Sequence, residues 1–197
     1  MRSIVGSVAL ALALVPAAAA AETSTWSIDP AHTHASFTVR HMVISNVRGE
    51  LGKVNGTLTL DEKDVTKSKV EVTIDVAGID TREPKRDEDL RSPNFFDVAK
   101  FPVITFKSTK VERAGKDGLK VTGDLTIRDV TKPVVLKVTG PTAEVKDPWG
   151  NTRRGVSATT KLNRNDYGVS YSAVLEGGGA VVGNDVNIEL EVEFVKK

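Results

Sequence analysis

The chain has 197 residues, 40% of them hydrophobic, with 27 Lys and Arg set against 26 Asp and Glu. So even a balance, with no local basic block, provides no field to attract nucleic acid. The absence of cysteine excludes thiol catalysis, c-type haem attachment and cysteine-rich zinc sites, and leaves stability to hydrophobic burial and backbone pairing.

Residues 1–21 read as a signal peptide. Arg2 supplies the positive end, Ile4 to Val15 form an apolar run broken only by Gly6 and Ser7, and Pro16 ends any helix. Ala19-Ala20-Ala21 then offers a small-residue cleavage frame that releases a chain starting near Glu22. The run is shorter than the roughly 20 apolar residues that span a bilayer, and no later stretch approaches that length. The expectation is an exported, soluble protein without a transmembrane segment, whose residues 22–197 form one domain large enough for a sizeable core.

Beyond Glu22 the dominant signal is alternation of apolar and polar residues at spacing two, the mark of strands with one dry and one wet face. Ala35, Phe37, Val39 and His41 share one face of the first predicted strand. Val54, Gly56, Leu58 and Leu60 follow in the second, and Val70, Val72, Ile74 and Val76 in the third. Later strands carry Ile104 and Phe106; Leu119, Val121, Leu125 and Ile127; Val134, Leu136 and Val138; and Val156, Ala158 and Leu162. The last alternates Val186, Ile188, Leu190, Val192 and Phe194 with Asn187, Glu189, Glu191 and Glu193, which makes eight strands. Lys116-Asp117-Gly118, Asp129 to Pro133 and Asp147 to Asn151 read as turns, and such short connections favour antiparallel neighbours. No βαβ rhythm occurs, and Gly177-Gly178-Gly179 lacks the context of a phosphate cradle.

One stretch, Gly78 to Pro102, interrupts the pattern. Thr81 is expected to cap a short helix over Glu83 to Leu90, and Ser92-Pro93 to start a further turn, so the helical insertion lies near residues 81–97. Phe95, Phe96 and Phe101 make this insertion a candidate lid or end-plug. Eight antiparallel strands can close into a barrel or stack as a sandwich; closure removes exposed edges and favours the all-β barrel. With modest inward side chains and glycines at Gly56 and Gly123, its interior is expected to be hollow and apolar.

Trp26 to His32, Phe37 to His41 and Asn46 to Gly49 resemble the opening of the YceI-like proteins. The resemblance continues through Arg86-Asp87 with Leu90, Asn94 to Val98, Phe101-Pro102, Ile104 to Phe106, Gly123 to Ile127, Asn163 to Gly168 and Val182 to Val186. It spans nearly all of residues 22–197. It implies a lipocalin-like, eight-stranded antiparallel barrel in the periplasm, a homodimer, that binds polyisoprenoids or similar long-chain amphiphiles and needs no cofactor. Thr33-His34 and Gly49-Glu50-Leu51 depart from the family pattern; the first adds a metal-binding option, the second reshapes the pocket mouth.

The expected function is binding of a long-chain isoprenoid, isoprenoid quinone or related lipid in the lumen, as a carrier or sequestering protein. Phe37, Val39, His41, Val54, Leu58, Val72, Ile74, Phe106, Val121, Leu125, Val156 and Ile188 are expected around that lumen. His32 and His34 alone are too few ligands for structural zinc. Arg86, Asp87, Glu88, Asp89 and Arg91 read as a solvated helix face with Arg86 and Asp87 pinning the insertion, contact of Arg86 or Arg91 with a phosphate at the mouth being the alternative, and Arg164, Asp166 and Tyr167 read as structural pins for a long loop. No Ser-His-Asp order or Gly-x-Ser-x-Gly elbow is present. The alternatives are an enzyme that uses the barrel as a reaction chamber, with His41 and a nearby carboxylate acting on a lipid head group, and a filled barrel that serves only as a dimeric interaction protein.

Overall fold

Branched apolar residues alternating with polar ones give each strand a face for the interior and a face for water. In the computed structural model these strands curl into a closed barrel. The structure describes residues 22–116 and 118–197. The signal-peptide reading of residues 1–21, and Asp117 of one expected turn, lie outside the described residues.

The strands are β1 (Thr23–Ile28), β2 (His34–His41), β3 (Ser45–Glu50), β4 (Val54–Asp61), β5 (Lys69–Asp75) and β6 (Val103–Ala114). They continue as β7 (Gly118–Ile127), β8 (Val130–Thr139), β9 (Val145–Lys146), β10 (Thr152–Asn163) and β11 (Val182–Lys196). One short helix, α1 (Pro84–Arg91), lies between β5 and β6. All pairings between strands are antiparallel, and eight strands close a ring in the order β11, β1, β4, β5, β6, β7, β8, β10. The ring is sealed by β10 on β11, in register from Arg153 with Val195 to Asn163 with Asp185.

The ring has the expected number of strands with one change of membership. The first strand expected from alternation is β2, which pairs with β11 beyond the reach of β1 and carries β3 outward as a hairpin. The ring's own first member is β1, hidden in the sequence because only Trp26 and Ile28 in it are apolar. Trp26 is nevertheless fully buried, and its indole nitrogen donates to the Ser24 hydroxyl at 2.7 Å.

The insertion is pinned by charged side chains acting as hydrogen-bond bridges. Glu83, rather than Thr81, caps α1, with Pro84 in the first turn, where a missing N–H is harmless. Thr81 is buried and donates from its backbone N–H to Asp87 Oδ1 at 2.9 Å; its hydroxyl accepts from Arg86 Nε at 2.7 Å. Arg91 donates to the Ala77 and Ile79 carbonyls at 2.8 and 2.7 Å. Ser92 ends the helix as its C-cap and passes the chain into turns that present Phe95 and Phe96 to the barrel end.

Gly56 and Gly123 do not hollow the interior, contrary to expectation. A Cβ on Gly123 would lie 2.4 Å from the Phe106 ring and 2.6 Å from the Lys107 carbonyl oxygen; one on Gly56 would lie 2.3 Å from the Glu71 carbonyl oxygen. These glycines admit close approach of a ring and of neighbouring backbone, so the space they leave is already filled. Gly123→Ala is therefore expected to lower stability by about 1–3 kcal/mol. Urea denaturation would show this as a lower midpoint, and an unchanged midpoint would contradict the packing described.

Candidate ligand-binding site

The inward faces of the ring strands enclose an apolar cavity of about 170 Å³. Of the twelve residues expected around a lumen, Val54, Leu58, Val72, Ile74, Phe106, Val121, Leu125, Val156 and Ile188 line it. Phe37 and Val39 instead line a second cavity of about 100 Å³ at the barrel end beneath α1, which Ile188 also touches. His41 lines neither. It lies at the far end of β2, paired with Ser45 and Val182, because parity with Phe37 holds only along a straight strand and β11 shifts register between Val182 and Val186.

Several lining residues escaped sequence reasoning. Ile28 was hidden with its strand, whereas Leu119, Val138, Leu190 and Phe194 share the parity of inward residues and were detectable from alternation. Val72, Leu125, Val156 and Ile188 face inward yet are only half-buried, which shows that the void lies beside them.

Leu51, Ile104, Ile127, Leu162 and Ile188 belong to the walls of both cavities. They form an aliphatic septum between the central chamber and the end chamber. The central chamber alone is close to the ~150 Å³ apolar void that accommodates a benzene ring. A long chain therefore requires the septum side chains to swing aside and join the chambers. The end chamber is closed by Phe95, Phe96 and Tyr167, with Phe95 edge-on to Tyr171 at a centroid distance of 5.4 Å.

The lining side chains of both chambers include no Asp or Glu among the described residues. Arg164 reaches the end chamber, but it is 7% exposed and donates to the carbonyls of Val169, Tyr171, Val182 and Gly183. Its guanidinium thus ties the loop after β10 to the start of β11. Burial lowers its pKa, and burial raises that of the neighbouring Tyr167 phenol. The chambers can hold apolar matter, and their walls offer no carboxylate to pair with a base.

His32 and His34 go to different neighbourhoods. His34 begins β2 at the central chamber, while His32 Nδ1 lies 2.9 Å from Asp29 Oδ2 in the preceding turn. Asp29, His32 and Glu193 bring potential ligand atoms within 4.8 Å of one another. Arg153 already stands among them: Nη1 donates to Asp29 Oδ2 at 2.6 Å and to Glu193 Oε1, and Nε donates to Asp147 Oδ2 at 2.7 Å. The guanidinium supplies the cation of this cluster.

The same contacts shift the acids. The Arg153 bond, the His32 bond and the Ala31 N–H hold the Asp29 carboxyl well below the usual range. Burial pushes the Asp147 carboxyl upward, but its bonds from Asn151, Arg153 and the Trp149 N–H outweigh that and bring it to about 2. Bonds to Asp29, Asp147 and Glu193 raise Arg153 above its ordinary value. Three distant segments are therefore stitched by one charge.

Comparison with known proteins agrees with this architecture. The family model described as YceI-like domain matches residues 26–194. A UPF0312 protein of Vibrio parahaemolyticus is 38% identical over 193 residues, covering 96% of this chain and 95% of its own. The crystal structure of the Campylobacter jejuni YCEI protein superposes with a TM-score of 0.66 at 30% identity, over 80% of this chain and 90% of that one. A polyisoprenoid binding domain from Saccharophagus degradans superposes with a TM-score of 0.64 over 87% of this chain and 98% of that one; at 14% identity it speaks for the fold alone.

The carboxylates around Arg153 carry a pH signature. Acids with depressed folded-state pKa values contribute stability that is complete above their unfolded value, about 4, and is lost as pH falls through the folded value. Thermal stability should thus fall, with melting at progressively lower temperature, as pH drops from about 4 toward about 2. Arg153→Met should melt at lower temperature at neutral pH and show a shallower loss across that window. A variant with the parental melting profile at every pH would overturn the assignment.

Proposed function

Because the chain belongs to the YceI-like family, we propose that it binds a long-chain isoprenoid or related amphiphilic lipid inside the barrel. The observation that carries this reading is the pair of apolar chambers divided only by aliphatic side chains. Each methylene moved from water into such a lining contributes about 0.8 kcal/mol before ordering costs, so chain length rather than a specific polar contact supplies affinity. The polyisoprenoid binding domain from Saccharophagus degradans shares this fold, so the same architecture is one that holds this ligand class in that protein.

Binding rather than catalysis is the activity proposed. The reaction-chamber alternative rests on His41, which lines neither chamber, and no carboxylate stands in either wall among the described residues. The export signal read from the first 21 residues supports a periplasmic protein that ferries or sequesters a lipid across water between two membranes. No helix among the described residues is long and apolar enough to cross a membrane. Homodimerisation, implied by the sequence resemblance, belongs to the same proposal and is read by light scattering of the purified chain.

Filling the central chamber tests the reading. Val121→Phe and Ile188→Phe each place a ring in the space of about 170 Å³. Lipid extracted from protein purified without detergent and weighed by mass spectrometry should fall at least about tenfold, with melting temperature maintained by the better-filled interior. Parental protein free of long-chain lipid, or filled variants that retain it fully, would refute binding in the lumen.

A further inference from the structure

The two ends of the barrel differ in chemistry. One is plugged by α1, Phe95, Phe96 and the loop held by Arg164, whose donors are occupied by backbone carbonyls. The other opens into a polar vestibule of about 470 Å³, built from the β4–β5 connection, the β6–β7 turn, the residues after β8 and the start of β10. Leu60, Val65, Leu119 and Pro141 line both this vestibule and the central chamber, so the two spaces adjoin.

Lys63, Arg113, Lys116 and Arg154 line the vestibule, against the carboxylates of Asp61 and Glu62. Asp61 is buried and is engaged by the Lys63 and Asp64 backbone N–H groups, which its Oδ1 accepts at 3.0 and 2.9 Å. Arg154 Nη2 donates to Glu62 at 3.1 Å and to Glu144 at 3.3 Å, its Nη1 donates to the Thr142 carbonyl at 3.0 Å, and Lys63 reaches Glu22 at 3.6 Å. Arg113 and Lys116 are exposed and have no carboxylate within ion-pair distance among the described residues. Arg154 lies over the Trp26 ring, 5.2 Å from its centroid, and its Nε is buried with no hydrogen-bond partner, a costly state for a guanidinium N–H.

We infer that this vestibule is the head-group site and that it selects lipids with an anionic head, a phosphate or diphosphate, over neutral alcohols and quinones of the same chain. The inference rests on the proposed lumen binding and adds the orientation: tail in the apolar chambers, head between Arg113 and Lys116, with Arg154 held beside them by its own partners. An anion there meets Arg113 and Lys116, the vestibule cations without an ion-pair partner among the described residues, at the edge of a low-dielectric lumen, where charge–charge attraction is stronger than in bulk water. The plugged end offers no such charge, because its arginine is already spent on carbonyls.

Quenching of tryptophan fluorescence, with Trp26 buried beneath Arg154, provides the measurement. The probes are geranylgeranyl diphosphate, geranylgeraniol and inorganic diphosphate. The diphosphate lipid should bind about tenfold or more tightly than the alcohol at low salt, with the ratio falling as salt rises. In the double variant Arg113→Gln/Lys116→Gln that ratio should shrink toward one; both positions are exposed, and melting temperature serves as the check on folding. Equal affinity for diphosphate and alcohol in the parent protein would overturn the head-group site while leaving lumen binding intact. Failure of both lipids to bind would instead refute the lumen reading on which it rests. Inorganic diphosphate binding as tightly as the prenyl diphosphate would show a free-anion site in place of a lipid head-group site.

Discussion

Closure of the ring by β11 on β10 is the constraint on which the rest of the structure depends. β11 runs from Val182 to Lys196, and at about 3.3 Å per residue it spans the full height of the barrel. Along one edge it keeps β10 in register throughout. Along the other it serves β2 near its start and β1 near its end, so one strand both seals the ring and hangs the β2–β3 hairpin from it. Without that seal the inward face of the sheet would be an exposed apolar surface and the outer strands would be open edges.

The seal is reinforced where β11 changes partner. Arg153 of β10 gathers Asp29 after β1, Asp147 before β10 and Glu193 of β11, and the Glu193 N–H donates to the Thr33 hydroxyl at 3.1 Å. One guanidinium with fixed, planar donors suits this task better than a point charge would, because it engages several carboxylates in different directions. The cluster has the residue types of a metal site, yet its chemistry is that of a structural rivet.

The closed ring also sets how the proposed lipid ligand would be accommodated by a chamber of modest volume. Aliphatic septum residues change rotamer at small cost, whereas the backbone of a hydrogen-bonded barrel resists expansion. The adaptation that the proposed lumen binding requires therefore falls to Leu51, Ile104, Ile127, Leu162 and Ile188, the residues shared by both chamber walls. The asymmetry of the ends follows from their connections. A long insertion with aromatic residues covers one end, while short polar turns frame the other and leave charge at its rim.

Much of this was legible in the residues themselves. Alternation assigns inward and outward faces within a strand, since Cβ direction reverses at every residue whatever the neighbours are. It therefore identified seven of the eight ring strands, the apolar character of the lumen and nine of the residues around its central chamber. Its failures share a cause: they depend on contacts distant in the chain. Trp26 is buried because β1 is trapped between β4 and β11, although the strand is polar by composition. His41 misses the lumen because of a register shift in a partner strand, and Gly123 is filled by a ring from β6. The sequence by itself determined the β architecture, the partition of polar from apolar faces and the site of the helical insertion. Only the tertiary structure decided which strands close the ring, where the lumen divides, and how Asp29 comes to share a cation 124 residues away. Local side-chain parity is written residue by residue, whereas register, closure and long-range charge pairing exist only once the chain has folded back on itself.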